Sequence, residues 1–231
     1  CKNSTKEMTD FYSSFVESIY VTPGVREAEL SKLIENTYRQ INMAFVNELA
    51  KYCHVAGIDV WESIRAAATK PFGFEAFFPG PGVGGHCIPV DPSYLAHVAN
   101  EVGVPATFIK RANEVNLAMP AYVVKRVIEG FGGTIAGKSV VVVGVSYKAN
   151  VADTRETPAA LVIAELQLQG ADVTWHDPVV KSWHGATSSD LGGSEIAIVV
   201  TLHDVMDRSA VTTSAPYVFD TTGKLTGVKG L

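Results

Sequence analysis

The feature that most constrains the fold is the alternation of strands and helices after residue 138. Four apolar, strand-sized runs follow one another there, namely KSVVVVGV, DVTWHD, SEIAIVVT and PYVFD. A helical pattern, TPAALVIAELQLQGA, lies between the first two, with Thr157 as its N-cap and Pro158 at its first position. Strands that alternate with helices in this way predict a parallel, doubly wound, Rossmann-like sheet.

The residues before this sheet are expected to be helical. Apolar residues at spacings of three and four predict helices over the following regions: 4–20, 27–54, 60–69, a stretch that begins at Asp91, and 107–131. The first is expected to merge into a brief β-like stretch before Pro23. Gly57 ends the second, Asp59 caps the third, and Asp91 caps the fourth with Pro92 at its first helical position. The predicted class is therefore α/β, with a helical part up to about residue 117 followed by the sheet.

Composition and charge limit the possible functions. The 231 residues are 47% hydrophobic and 19% charged, which suits a packed protein of one or two domains. Lys and Arg form no basic block and the net charge is −5, so neither nucleic acid nor an anionic membrane is an expected partner. Apolar runs such as 140–143 are much shorter than the roughly 20 residues that span a bilayer.

The three cysteines, at positions 1, 53 and 87, show no disulfide or metal-ligand spacing. This pattern favours a reducing, cytoplasmic location and predicts no metal site. The chain begins with Cys1 instead of Met, which we read as the start of a fragment. Cys53 lies in an apolar helical stretch and is predicted to be a core residue, so Cys87 is the candidate for chemistry.

Cys87 lies in a segment rich in proline and glycine, KPFGFEAFFPGPGVGGHCIPVDP, through which no regular element can run. Its glycines include a GxGxxG spacing. Pro79 before that spacing and Pro89 after it exclude the strand–turn–helix context of a dinucleotide fingerprint. The glycines either let the backbone approach a bulky ligand and offer N–H groups to phosphate, or belong to an ordinary irregular connection.

Cys87 is a candidate nucleophile because the positive end of the following helix favours thiolate over thiol. A buried, inert cysteine is the alternative. A hydrolase that pairs Cys87 with a histidine is another, although His86, its sequence neighbour, is poorly placed for that role. Asp91, four residues away, could orient a water near the sulfur. Lys32 and Asn36 are four apart on the long helix, where they either stabilise an oxyanion or form part of a solvated stripe.

In the sheet region, Gly144 ends the first strand and Asp177 ends the second. Ligands bind at the carboxyl ends of such strands, and an acidic residue there often meets a ribose. Because only one glycine of the dinucleotide pattern is present, we expect a mononucleotide pocket at most. Lys148 and Arg155 either contact the ligand or are surface charges, with Arg155 paired to an adjacent carboxylate such as Asp153.

Three separated motifs occur in order along the chain: AELSKLIENTYRQINMAFVNELA, PGPGVGGHCIPVDP and GVSYKANVADTRETPA. Together they resemble the UDP-glucose/GDP-mannose dehydrogenase family, and the resemblance covers essentially the whole chain. The segment ATKPFGF followed by FFPGPGVGGHCIPVDP is most similar to the bacterial branch that oxidises UDP-N-acetylhexosamines, in particular UDP-N-acetylglucosamine or UDP-N-acetylmannosamine.

The resemblance implies that a C6 alcohol is oxidised to a carboxylate in two NAD-dependent steps. It assigns Cys87 as the nucleophile that traps the aldehyde as a thiohemiacetal, which becomes a thioester that water hydrolyses. Lys32 and Asn36 match the positions that stabilise the oxyanion, and Asp91 matches the position that helps to activate water. The remaining matched positions are substrate contacts at Phe77, Phe78, Gly82, Gly84, Tyr147 and Lys148, and a contact with the NAD pyrophosphate at Arg155.

Two departures from the family pattern matter. The family's N-terminal NAD-binding domain is represented only by residues 1–25, so we expect no hydride transfer by this chain alone. Residues 26–117 match the central helical domain, through whose long helix family members form homodimers, and 118–231 match the UDP-binding α/β domain. Family members commonly carry a substrate-contacting arginine after the fourth strand of this domain, where this sequence has Thr222, with Lys224 nearby as a substitute.

Three functions are compatible with these observations. The first is the central and C-terminal portion of an NAD-dependent nucleotide-sugar dehydrogenase. The second is a module that binds a UDP-sugar without catalysis. The third is a cysteine hydrolase that uses Cys87 and a remote histidine and needs no nicotinamide.

Overall fold

The computed structural model describes residues 2–231, so Cys1 lies outside the described residues. The chain divides into two compact units, the first ending at Glu35 and the second comprising Asn36–Leu231. Helix α2 (Val25–Ala56) begins in the first unit and continues into the second. No helix within residues 2–231 has the length and apolar character that a membrane span requires.

The first helix, α1 (Lys2–Tyr12), is shorter than predicted. The predicted helix over 4–20 is confirmed up to Tyr12 and wrong beyond it, and the predicted β-like stretch is wrong, because residues 13–24 form neither helix nor strand. The hydroxyls of Ser13 and Ser14 donate to main-chain carbonyls four and three residues earlier, both at 2.7 Å. Such local bonds compete with helical hydrogen bonding, which gives a physical reason for the early end of α1.

The end of α2 and the start of α3 (Val60–Ala68) are as predicted. Gly57 has a φ of 68°, and the Ile58 N–H donates to the carbonyl of Cys53 at 2.8 Å. A left-handed glycine with this bond is a common helix stop. The Asp59 carboxylate caps α3 by accepting the main-chain N–H groups of its first turn at 2.8 and 3.0 Å.

The prediction that Asp91 caps the fourth helix is wrong. Helix α4 (Asp91–Glu101) already includes this residue, Val90 occupies the N-cap, and the cap makes no side-chain hydrogen bond. The reason is the preceding turn, in which the carbonyl of Cys87 accepts both the Val90 N–H at 3.1 Å and the Asp91 N–H at 2.8 Å. The Asp91 carboxylate is therefore not used by its own helix.

The predicted helical region over 107–131 consists of two helices, α5 (Thr107–Leu117) and α6 (Met119–Phe131). They are separated at Ala118, and a proline follows within the first turn of α6. Pro120 has no N–H with which to continue the hydrogen bonding of α5, and its fixed φ suits the first turn of a new helix, so a break between α5 and α6 at this point is expected.

The rest of the chain forms the predicted doubly wound sheet. Its elements in chain order are β1 (Ser139–Val143), α7 (Pro158–Leu168), β2 (Asp172–His176), β3 (Ser182–Trp183), β4 (Ala186–Thr187), β5 (Ile196–Val199), α8 (Arg208–Thr212), β6 (Tyr217–Asp220) and β7 (Lys229–Gly230). Strands β2, β1, β5, β6 and β7 lie side by side in this order, and every pair is parallel. Strands β3 and β4 form a separate antiparallel hairpin. As predicted, Thr157 caps α7, with Pro158 as its first residue.

Strand β1 is buried on both faces. Val140 and Val142 pack with apolar residues of α6 and α7, whereas Val141 and Val143 pack with apolar residues around α8. A strand that is apolar on both faces belongs to the middle of a parallel sheet. The strand order changes direction at β1, so the loops after β1 and β5 lie together at the carboxyl edge, where ligands bind in such folds.

Candidate functional site

The glycine loop, residues 79–90, is held to the helices by buried asparagines. Asn47 on α2 is fully buried, and its side-chain oxygen accepts the Gly80 N–H at 2.9 Å. Its amide group donates to the side-chain oxygen of Asn116 on α5 at 3.0 Å. Asn116 in turn donates to the main-chain carbonyl of Gln40 at 3.1 Å. Since buried polar groups are costly without partners, this chain of bonds fixes where the loop leaves the helices.

The middle of the glycine loop packs on the loop between β1 and α7. A Cβ atom at Gly84 would lie 2.8 Å from Pro158 and 2.9 Å from both the Glu156 carbonyl oxygen and Tyr147. At Gly85 it would lie 3.1 Å from the Tyr147 ring. Glycine is therefore required at these positions by packing between two loops of the protein itself. For Gly84, which was predicted as a substrate contact, this packing explains the glycine without a bound ligand.

Cys87 is exposed, whereas Cys53 is buried in an apolar cluster with residues of α2 and α3. The alternative that Cys87 is a buried, inert cysteine is therefore wrong, and Cys53 is a core residue as predicted. Cys87 lies in the turn that leads directly into α4, with its carbonyl bonded to the first residue of that helix. The sulfur is thus accessible on a backbone that the helix start holds in place.

Two predicted site residues meet next to this turn. The side-chain amide of Asn36, on α2, donates to the Asp91 carboxylate at 2.6 Å. Asn36 is buried, so this hydrogen bond connects the helix interior to the carboxylate at the start of α4. Because an amide carries two N–H groups, one remains for a second acceptor when the first holds Asp91. The backbone of Asp91 is bonded to Cys87, so these three residues form one connected group.

Lys32 lies in the first unit, on the part of α2 before Asn36. Its ammonium group pairs with the carboxylate of Glu35 at 3.1 Å, and both side chains are exposed. An ion pair between Lys32 and a neighbour on the same helix is consistent with the second predicted alternative, in which Lys32 belongs to a solvent-exposed row of polar residues. The role of Lys32 in stabilising an oxyanion stays a prediction.

Aromatic contacts order the segment before the glycine loop. Phe77 packs edge-on against Tyr38 of α2 with ring centres 5.7 Å apart. A hydrogen bond to Glu75, with smaller effects of burial and of the same negative charge, raises the pKa of Tyr38. Phe78 stacks on Trp61 of α3 at 5.7 Å and remains partly exposed. Trp61 was not predicted as part of this site, although the aromatic residues of FGFEAFF were possible partners for an aromatic residue on a helix.

The loop after β1 carries Tyr147, Lys148 and Arg155. Tyr147 is half-buried beneath the glycine loop, and Lys148 is exposed. The Arg155 guanidinium binds the Asp153 carboxylate, with its Nε atom 2.9 and 3.1 Å from the two oxygens. Hydrogen bonds from this guanidinium and from the Arg155 main chain lower the pKa of Asp153 to about 2. The surface pairing of Arg155 with Asp153, one of the predicted alternatives, is present.

Asp177, at the end of β2, is not available to a ribose. It is buried, and both of its carboxylate oxygens already accept hydrogen bonds. Burial raises the pKa of this carboxyl group, but four hydrogen bonds outweigh it and the pKa is lowered. Their donors are the main-chain N–H groups of Val180, Val145 and Val179 and the side chain of His203. Asp177 therefore makes hydrogen bonds to the surrounding loops of the protein instead of the expected contact with a ribose.

Thr222 is also engaged internally. Its main-chain N–H and its hydroxyl both donate to one oxygen of Asp220 at 2.7 Å. The other Asp220 oxygen accepts the main-chain N–H of Lys224 at 2.8 Å. The turn after β6 is thereby closed on the Asp220 carboxylate, while the Lys224 side chain is left exposed.

Two family models match consecutive parts of the chain. The model of the UDP-glucose/GDP-mannose dehydrogenase family central domain matches residues 26–118, and that of the family's UDP-binding domain matches residues 141–226. The chain belongs to the UDP-glucose/GDP-mannose dehydrogenase family. The predicted resemblance is thus confirmed.

Several members of this family have similar sequences and structures. A UDP-N-acetyl-D-mannosamine dehydrogenase of Methanococcus maripaludis is 40% identical over 208 residues, covering 88% of this chain and 48% of that protein. An NDP-N-acetyl-D-galactosaminuronic acid dehydrogenase of Ralstonia nicotianae is 39% identical, covering 74% of this chain and 39% of that protein. The solved UDP-D-ManNAc dehydrogenase of Pyrococcus horikoshii superposes with a TM-score of 0.82 at 27% identity, covering 97% of this chain and 56% of that one. The chain spans about half the length of such curated relatives.

NAD, the cofactor that family resemblance implies, does not fit the loop after β1. A dinucleotide loop needs glycines that leave space for a pyrophosphate at the helix start. The single Gly144 has a φ of 81°, and a Cβ there would lie 1.8 Å from the carbonyl oxygen of Thr201. This glycine therefore serves an internal contact, and Asp177 is engaged as well. Among the described residues of this loop, Arg155 is the predicted NAD contact, and its guanidinium is exposed.

Proposed function

We propose that this chain is the central and UDP-binding portion of an NAD-dependent UDP-sugar 6-dehydrogenase. In this proposal Cys87 is the nucleophile and a UDP-N-acetylhexosamine is the substrate. The observation that carries the proposal is the exposed Cys87 in the turn before α4, bonded through its backbone to Asp91. The names of the mannosamine and galactosaminuronic acid relatives support an N-acetylated hexose, and they leave its stereochemistry open.

The chemistry assigns a role to each member of this group. The Cys87 sulfur holds the aldehyde covalently as a thiohemiacetal, so that no free aldehyde diffuses away before the second oxidation. The resulting thioester is opened by water. The Asp91 carboxylate, held by Asn36 at 2.6 Å, would orient that water and accept its proton. Two NAD molecules, bound in succession, would each take up one hydride, the first in the oxidation of the alcohol to the aldehyde and the second in the oxidation of the thiohemiacetal to the thioester.

The second N–H group of Asn36 and the ammonium group of Lys32 would stabilise the oxyanion that forms when sulfur or water attacks the carbonyl carbon. Donors that are already fixed before the reaction cost no reorganisation when charge develops. Asn36 meets this condition, because it is buried and its side chain is anchored on Asp91.

We place the UDP moiety at the carboxyl edge of the sheet, beside the junction at which the glycine loop packs on the loop after β1. The match to the family's UDP-binding domain over 141–226 supports this placement. Tyr147 and Lys148 lie on the loop after β1, and Lys148 offers a positive charge to a diphosphate. Further contacts are proposed from the preceding aromatic segment and the glycine loop, at Phe77, Phe78, Gly82 and Gly84.

The first unit supports the proposal that residues 1–25 belong to a larger NAD-binding domain. Large apolar side chains of this unit are exposed, including Phe11 at 60%, Phe15 at 64% and Tyr20 at 88%. Side chains of this kind usually pack against protein, and an exposed group of them marks a surface that another domain or chain covers. Residues 26–117 and 118–231 would then be the central and UDP-binding domains.

We further propose a cytoplasmic homodimer that forms through α2. In the second unit this helix exposes Phe45, Tyr52 and Val55, with exposed fractions of 57, 62 and 88%. An apolar face of this kind is typical of a helix that has a partner. Light scattering should report twice the chain mass, and a monomer at micromolar concentration would contradict the proposed dimer.

The test of the catalytic proposal is Cys87→Ser in the full-length protein, with Cys53→Ser as the matched control. The expected result is loss of carboxylate production with Cys87→Ser only, because Cys53 is buried away from solvent in an apolar cluster. Carboxylate production by Cys87→Ser at the wild-type rate would contradict the role of the thiol. UDP binding by calorimetry without turnover by the full-length protein would favour a binding module instead.

A further inference from the structure

A fully buried hydrogen-bond cluster lies beneath the loop that carries Tyr147 and Lys148. Ser146, Asp177 and His203 in this cluster have at most 1% of their surfaces exposed. They come from three different places at the carboxyl edge of the sheet, after β1, β2 and β5. Burying a histidine next to a carboxylate is costly unless every polar atom is paired, so the cluster calls for a functional account.

Both ring nitrogens of His203 are used. Its Nδ1 atom accepts the main-chain N–H of Asn150 at 2.8 Å. Its Nε2 atom lies 3.1 Å from the Asp177 carboxylate and 3.2 Å from the Ser146 hydroxyl. An imidazole nitrogen that accepts an N–H carries no proton, so the ring is neutral and its proton is on Nε2, where it is donated to Asp177. One ring therefore joins the end of β2 to the loop after β1.

The same loop is fixed on both sides of Tyr147 and Lys148. On the near side, the Val145 N–H donates to Asp177 at 2.8 Å. The Ser146 hydroxyl donates across the segment to the carbonyl of Lys148 at 3.0 Å. On the far side, the bond from Asn150 to His203 holds a residue in the left-handed conformation, with a φ of 65°. The side chains of Tyr147 and Lys148 thus extend from a backbone that hydrogen bonds hold in place on both sides.

A second pair of bonds connects this loop to the loop after β5, which carries His203. The Asn150 side chain donates to Asp204 at 2.7 Å and accepts the Asp204 N–H at 2.9 Å. Thr201 donates its hydroxyl to the Ser146 carbonyl at 2.7 Å. These bonds hold the loop that carries His203 against the loop after β1, where the Nδ1 atom of His203 accepts the Asn150 N–H.

We propose that His203 is a positioning residue for substrate binding, which holds Tyr147 and Lys148 in place through the Asn150 main-chain N–H. The inference rests on the proposed function, since it takes these two side chains as UDP-sugar contacts. His203 itself touches no substrate. Its effect comes from restricting the loop before the ligand arrives, so that binding does not have to order it.

Three substitutions of His203 distinguish a role in positioning the substrate-binding loop from a role in general stability. His203→Asn keeps an acceptor near the Nδ1 position and so retains the bond to Asn150. His203→Gln keeps a donor near the Nε2 position and so retains the bond to Asp177. His203→Ala keeps neither. A purely structural histidine would be replaced about equally well by Asn and Gln, whereas a positioning histidine is replaced only by Asn.

The expected readout is the affinity for UDP, measured by calorimetry. His203→Ala and His203→Gln should bind UDP about tenfold more weakly than the wild type, equivalent to about 1.4 kcal/mol, while His203→Asn should stay within about threefold. In the full-length enzyme, the Gln variant should raise KM for the UDP-sugar and change kcat little. Amide hydrogen exchange supplies a readout that needs no ligand, with faster exchange at Asn150 in the Gln variant than in the Asn variant.

Equal UDP affinity and equal Asn150 exchange in the Asn and Gln variants would overturn the inference while leaving the proposed function intact. Failure of the wild-type protein to bind UDP at millimolar concentration would contradict the proposed function itself, and the positioning role with it. Weaker UDP binding and faster exchange in the Gln variant alone would support the inference.

Discussion

The substitution Gly84→Ala tests how the glycine loop is held against the UDP-binding domain. The added methyl carbon would lie 2.8 Å from Pro158 and 2.9 Å from the Glu156 carbonyl oxygen and Tyr147, whereas ordinary contacts are 3.4–4 Å. Each neighbour would have to move by about half an ångström, and two of them are parts of a proline ring and a main chain, which yield little. Overpacking of this kind typically costs about 1–3 kcal/mol. We expect a loss of stability in this range, together with weaker UDP binding.

Urea denaturation and UDP calorimetry measure the two effects, and the same loop region offers matched controls. Gly80→Ala places its methyl carbon 3.9 Å from the nearest atom, so it should change the free energy of unfolding by no more than about 0.5 kcal/mol. Gly73→Ala has free space but a φ of 73°, so it isolates backbone strain, at about 1 kcal/mol. If Gly84→Ala were as stable as Gly80→Ala and bound UDP normally, the close packing of the two loops would be refuted.

Two other predictions concern hydrogen bonds of the glycine loop and of the loop after β1. Asn47→Ala leaves the Gly80 N–H without its partner and should lower the free energy of unfolding in urea by about 2–4 kcal/mol. The control Asn42→Ala loses only a hydrogen bond within its own helix and should lower it by less than about 1 kcal/mol. The pKa of Asp153, about 2 in the folded protein against an ordinary 3.8, means that its stabilising contribution is complete above about pH 4 and is lost as the pH falls to about 2. Carboxyl NMR titration should show this midpoint move up toward 3.8 in Arg155→Gln; an unchanged midpoint would contradict the pairing.

Much of the fold could be predicted because its signals are local. The strands after residue 138 are short apolar runs, and Thr157 and Asp59 cap the helices that directly follow them. The two-residue strand β7 (Lys229–Gly230) was not predicted, since it pairs through its main chain and has no apolar pattern. The prediction of an N-cap at Asp91 was wrong for a related reason, because the geometry of the preceding turn, which places Val90 at the N-cap, cannot be read from the residue types.

The candidate site could be predicted only in part. The glycine-rich segment and the following helix indicated Cys87 as a candidate nucleophile, and Cys87 is exposed to solvent in the structure. The contact of Asn36 with Asp91 joins residues 55 apart, and that of Ser146 with His203 joins residues 57 apart, so no periodicity or spacing could reveal them. The one available signal for His203 was its place shortly after a buried strand, at the edge where ligands bind.

The most direct test of the central claim is the mass of the Cys87 peptide during turnover. The full-length protein would be mixed with NAD and a UDP-N-acetylhexosamine, quenched in acid within one turnover, digested and measured by mass spectrometry. We expect a covalent adduct with the mass of the oxidised nucleotide sugar on the peptide that contains Cys87, and none on the peptide that contains Cys53. Carboxylate product formed while the Cys87 peptide keeps its unmodified mass throughout would contradict it.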